Sequence, residues 1–107
     1  MNWEPIFTLA TILTGQGVLT VGTALGIVTS SGKLKVLNSA NVDGSGTLAA
    51  VLNKGIDTTS GDVTNVPVII AHAGWPKGSL KYGGSDSDST HFNSVGQSKA
   101  GVNLFVY

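Results

Sequence analysis

The stretch Ala24-Leu25-Gly26-Ile27-Val28-Thr29-Ser30-Ser31-Gly32-Lys33-Leu34-Lys35-Val36-Leu37 decides how the rest of the chain is read. Residues 24–29 form a short β-rich run, Ser30-Ser31-Gly32 supplies a tight turn, and Lys33–Leu37 returns. On the return, Leu34 and Val36 fall on one face and Lys33 and Lys35 on the other, the alternation of a half-buried strand. This is the best hairpin in the sequence, and the same grammar extends from it in both directions.

Downstream, Asn38–Gly46 reads as a loop with Asp43-Gly44 as its turn signal, and Thr47–Leu52 as a strand of small apolar residues. Asp57–Asp62 is another turn-rich connection. Val66–Ala73 is the most apolar run; Pro67 near its start suits a buried strand entered after a bend. Residues 77–101 are polar, with a short helix expected between Ser89 and Lys99, and Val102–Tyr107 closes the chain as a strand. The 15 Gly, 11 Ser and 11 Thr interrupt the sequence every few residues and leave no long helical period, so the fold is expected to be mainly β with little helix.

Upstream, Val18–Val21 is a strand set off by Gly22. Residues 1–17 are expected to be an extended N-terminal arm and residues 18–107 the β-rich domain. Pro5 discourages helix just before it. Ile6, Thr8, Ala10 and Ile12 alternate with Phe7, Leu9, Thr11 and Leu13, which gives no cleanly polar face. Two readings stay open: an arm that orders only on a partner, or a first core strand. On the first, Trp3, Pro5, Ile6, Phe7, Leu9 and Ile12 carry the contact, and Gly15-Gln16-Gly17 is a flexible joint. Trp75-Pro76 also has two readings, a cap on the core or a contact with another subunit.

Composition limits the function. The 107 residues suffice for one domain with one modest core, and 41% hydrophobic residues argue against a disordered tail. Only 11% are charged, the formal net charge is zero, and all six basic residues are Lys. Nucleic-acid binders carry a basic excess, often with Arg, so no nucleic-acid partner is expected. A weakly charged surface does little to oppose association, which suits a protein that assembles. No apolar run approaches the ~20 residues of a membrane span, and Met1–Pro5 lacks the basic start of a secretory signal. The expectation is a protein that stays where it is made, unless it leaves inside a larger particle. There is no cysteine and hence no disulfide or thiolate metal site.

Near-matches to chemical motifs each fail on a physical point. Gly26 to Gly32-Lys33 has one residue too many for a phosphate loop, and Leu34 stands where a magnesium-binding hydroxyl belongs. Gly15-Gln16-Gly17 lacks the third glycine and the helix of a dinucleotide site. Asp86-Ser87-Asp88-Ser89-Thr90 opens like a calcium loop, but His91 replaces its glycine and Gln97 its final glutamate. His72 and His91 lack partners at zinc spacing. A Ser–His–Asp constellation assembled in space stays open, without a Gly-x-Ser-x-Gly elbow to support it. The expectation is no enzyme, no cofactor and no metal.

Between Gly22 and Asp62 the sequence resembles the lambda-type bacteriophage head decoration proteins. The residues are Gly22-Thr23-Ala24-Leu25-Gly26, Ser31-Gly32-Lys33, Asn41-Val42-Asp43-Gly44-Ser45-Gly46-Thr47, Ala49-Ala50-Val51-Leu52 and Ile56-Asp57-Thr58-Thr59-Ser60-Gly61-Asp62. Their order and spacing, rather than any single motif, carry the resemblance over about half the chain. It implies a small single-domain β-rich fold of the barrel or tulip-like kind. It also implies a homotrimer on the outer surface of the virion's expanded head. There it would cement neighbouring major capsid protein subunits against DNA pressure, with the N-terminal arm as the capsid contact. The alternative function is a virion fibre or carbohydrate-binding β-module, for which seven aromatic residues are a thin platform.

Overall fold

The computed structural model describes residues 6–75, 78–84, 86–92, 98–99 and 103–106. Eight strands run in chain order: β1 (Ile6–Ile12), β2 (Val18–Leu19), β3 (Ala24–Ile27), β4 (Leu34–Val36), β5 (Ala50–Leu52), β6 (Ile56–Asp57), β7 (Val63–Trp75) and β8 (Asn103–Val106). One helical turn, α1 (Asp88–His91), interrupts them. The sheet order β1-β4-β3-β5-β7 closes on itself because β7 also pairs with β1. The result is a five-stranded barrel; β2 and β6 form a separate two-stranded ribbon.

The hairpin forms where the sequence places it. Val28 N–H donates to Lys33 O at 2.8 Å, and Val28 O accepts from Gly32 N–H at 2.8 Å, closing a four-residue loop. Across it Leu25 faces Val36 and Ile27 faces Leu34. Leu34 is buried, Val36 packs on the same cluster, and Lys35 on the opposite face pairs with Asp43 at 3.0 Å.

The central strands are buried on both faces, for a reason visible in how their side chains divide. Leu25, Ala50, Leu52, Val66 and Val68 point into the barrel with Ile12, Leu19 and Leu34. Their strand neighbours Ala24, Val51 and Ile69 point outward, onto Leu80, Phe92 and Leu104. The residues after β7 thus form a second layer against the barrel's outer face, and each central strand serves two cores. Such strands read as unbroken apolar runs rather than alternating ones.

β7 is long because different parts of it serve different partners. Its first part pairs antiparallel with β1, Val68 and Ile69 also pair with β5, and its end pairs parallel with β8. Between Ala10↔Val66 and Ile12↔Val63, β7 holds one residue more than β1. Asn65 absorbs it with φ of 54°, a left-handed conformation that Asn tolerates better than most residues. Pro67 opposes Leu9 within the ladder.

From Ile6 to Ile12 the N-terminal segment is a strand of the sheet. Ile12 is enclosed by the barrel at 0% exposure. The reading of this segment as a first core strand therefore describes its C-terminal end. Gly15-Gln16-Gly17 is not a flexible joint: Gln16 N–H donates to Thr58 Oγ1 at 2.9 Å and Gly15 N–H to Thr58 O at 2.9 Å. Backbone held by this many partners is not free to pivot.

Candidate functional site

Along β1 the side chains change role from one end to the other. Ile12 and Ala10 belong to the barrel interior, whereas Ile6, Phe7 and Leu9 are 55%, 49% and 64% exposed. Three large apolar residues are thus exposed on one short strand, and Ile27 and Ile70, on β3 and β7, are exposed at 45% and 39%. Below them a cavity of about 320 Å³ opens at the barrel's end, between Thr8 and Ala10 of β1, Val68 and Ile70 of β7, and the tip of the β3–β4 hairpin.

Along one side, the same strand has almost no strand partner among the described residues. Leu13 N–H donates to Leu34 O at 2.8 Å, toward β4. Strand backbone alternates, so the groups of Thr11, Leu9 and Phe7 point to that same side. There β1 meets β4 only at Ile12↔Leu34, and no described strand lies beside it before Ile12. An apolar strand with an open edge is a template for pairing with another chain.

Of the expected contact residues, the structure leaves Ile6, Phe7 and Leu9 exposed and puts Ile12 in the core. Trp3, Pro5 and Pro76 lie outside the described residues. Trp75, at the end of β7, is half-buried against the outer layer, a place that keeps both a capping and a contact role open to it. Ile27 and Ile70 were not anticipated as surface residues. No local sequence signal marks them, since Ile27 is followed by Val28 and Ile70 lies inside the apolar run 66–73.

The second layer holds a polar cluster. His91 Nε2 lies 2.7 Å from Asp86 Oδ2, with both side chains buried. Ser39 donates to the same carboxylate through its N–H and its hydroxyl, each at 2.7 Å. Burial works against the charge of Asp86, but the bonds from Ser39 and His91 outweigh it and hold this carboxyl below its usual range. Tyr82 stacks on His91 at 5.4 Å between ring centroids and donates its hydroxyl to Asp88 at 2.6 Å. Burial, reinforced by Asp88, pushes the Tyr82 phenol above its ordinary pKa.

Ser, Asp and His do meet here, but in the order Ser39–Asp86–His91. In a hydrolytic triad the imidazole sits between hydroxyl and carboxylate so that it can take the hydroxyl proton. Here the carboxylate sits between them, and the Ser39 hydroxyl spends its proton on it. The arrangement fastens the Asn38–Asn41 loop to α1 and activates no nucleophile. Among the described residues, no three His, Asp or Glu side chains converge as a metal site.

Fold and surface together define a small closed β-barrel with one apolar, open-edged strand and an outer layer fastened by hydrogen bonds. Sequence comparison assigns it: the family model for the bacteriophage lambda head decoration protein D matches residues 8–100 of the 107. The chain belongs to that family of phage head decoration proteins. That family is one of structural proteins associated with the phage capsid. No individual curated protein matches the sequence.

Proposed function

We propose that this protein binds the outside of the expanded phage head as a homotrimer and cements major capsid protein subunits against internal DNA pressure. The observation that carries the reading is β1, which exposes Ile6, Phe7 and Leu9 beside an open backbone edge while its far end is locked in the barrel. A strand added to that edge by the shell gains backbone hydrogen bonds, and alternate side chains fill the adjoining cavity. Trp3 and Pro5 extend the same contact, and Trp75-Pro76 is the candidate subunit contact.

No further chemistry is required. A trimer spanning several shell subunits must be pulled off each of them before they part. Joining three weak contacts on one rigid body raises avidity by about 10²–10⁴ over a single contact. Co-sedimentation with empty expanded heads tests the reading. Wild-type protein should pellet with the heads, and Phe7→Lys with Leu9→Lys should stay in the supernatant while keeping its thermal stability. Equal pelleting of the two would refute the assignment of the contact to β1.

A further inference from the structure

The barrel is closed between β1 and β4 by a side chain. Ile12↔Leu34 is the one register pair between these strands, after which the chain turns away. Two residues on, Val36 N–H points to the same side and is taken by Gln16 Oε1 at 2.6 Å. Gln16 Nε2 in turn donates to Leu13 O at 2.6 Å. A carboxamide carries the donor and acceptor of a peptide group, so Gln16 continues the ladder where no backbone is available.

The backbone of the same turn is held from its other side. Thr58, at 0% exposure, donates its N–H and its hydroxyl to Gly17 O, each at 2.8 Å. Its hydroxyl oxygen accepts from Gln16 N–H, and its carbonyl accepts from Gly15 N–H and the Thr14 hydroxyl, all at 2.9 Å. Gly15 and Gly17 have φ of +85° and +72°, and a Cβ on either would meet nothing within 4 Å. Glycine is needed here for its left-handed backbone, not for looseness.

We propose that Gln16 and Thr58 are positioning residues for head attachment, an anchor that passes a pull on β1 into the barrel wall. The inference rests on the reading that β1 grips the shell. With a swivel at residues 15–17, displaced shell subunits could swing the arm without straining the body. With the turn pinned, the same displacement must shear β1 along β7, against the whole row of their hydrogen bonds at once.

Hydrogen exchange on the free protein and release from decorated heads test it together. In Gln16→Ala, the Val36 amide, whose acceptor is removed, should exchange about 5- to 30-fold faster, as expected when one or two hydrogen bonds are lost. The Leu25 and Val51 amides should keep their wild-type rates. Heads decorated with this variant should release it at lower denaturant than wild type. Gln16→Glu loses the donor to Leu13 O but keeps the acceptor for Val36, so it should leave Val36 exchange closer to wild type than Gln16→Ala does. Lys54→Ala, an exposed control, should change neither readout. Unaltered Val36 exchange in Gln16→Ala would overturn the anchor, as would a rise spread equally over β3 and β5. Faster exchange with wild-type release would show that the anchor exists but bears no load from the head, and would also overturn the proposal. If wild-type protein fails to bind heads, the underlying reading falls, a result kept separate because exchange is measured without them.

Discussion

Truncating Ile12 and Leu9 to alanine, one at a time, asks where the exposed part of β1 ends and the barrel begins. The two residues lie three apart on one strand, at 0% and 64% exposure. Ile12 is packed among Leu25, Leu34, Leu52, Val66 and Val68, so its removal leaves a cavity walled by strands that hold one another in place. Deleting a buried Ile side chain costs about 2–5 kcal/mol, and a site that collapses poorly falls in the upper half of that range. Leu9→Ala removes contacts mainly with water and should change stability by no more than about 0.5 kcal/mol. A domain of this size has about 5–15 kcal/mol in total, and each kcal/mol moves Tm by about 4–8 °C. Thermal melts followed by circular dichroism should therefore show Ile12→Ala lower by roughly 14–40 °C and Leu9→Ala within about 4 °C of wild type. Equal small shifts would refute the reasoning, because they would mean that Ile12 is no more enclosed than Leu9.

Two further outcomes follow from close contacts. A Cβ on Gly26 would lie 2.3 Å from the backbone oxygen of Ser45, so Gly26→Ala must push the Asn41–Gly46 loop off β3; we expect a loss of about 1–3 kcal/mol in urea unfolding, against no loss for Gly61→Ala, where a Cβ meets nothing. The Asp43 carboxyl is brought down to about 2 by hydrogen bonds from Ser45 and then Lys35, below its ordinary 3.8. A carboxylate lowered on folding adds stability that is complete above about pH 4 and fades as pH falls toward 2. Melts between pH 5 and pH 2 should thus show a shallower acid decline for Asp43→Asn than for wild type.

How much of this was legible in the sequence depends on the distance between partners. The hairpin was readable because Lys33, Leu34, Lys35 and Val36 alternate locally and their turn is contiguous with them. The apolar runs at residues 47–52 and 66–73 were readable as strands, but not as walls shared by two cores. Which of Val51 and Leu52 faces the barrel depends on an outer layer supplied by Leu80, Phe92 and Leu104. The absence of a polar face on β1 was visible. The division of its residues between surface and core was not, since it is set by the bulged register against β7, more than 50 residues away. β6 was hidden in what reads as a turn, because two residues suffice to pair with β2. The anchor was the largest miss. Gly15-Gln16-Gly17 has the composition of a joint, and nothing local shows that Thr58, 42 residues on from Gln16, holds it. Ser39, Asp86 and His91 were likewise unremarkable apart. Only the folded order, with the carboxylate in the middle, separates a fastening from a catalytic site.

The central claim is that this chain grips the outside of a phage head through β1. A cryo-electron microscopy reconstruction of the decorated, expanded head tests it most directly. The account predicts trimeric density on the outer surface at three-fold or quasi-three-fold positions, with Ile6, Phe7 and Leu9 against the major capsid protein and a shell strand beside the open edge of β1. Density inside the shell or on two-fold axes, or trimers whose β1 edge faces solvent, would contradict it.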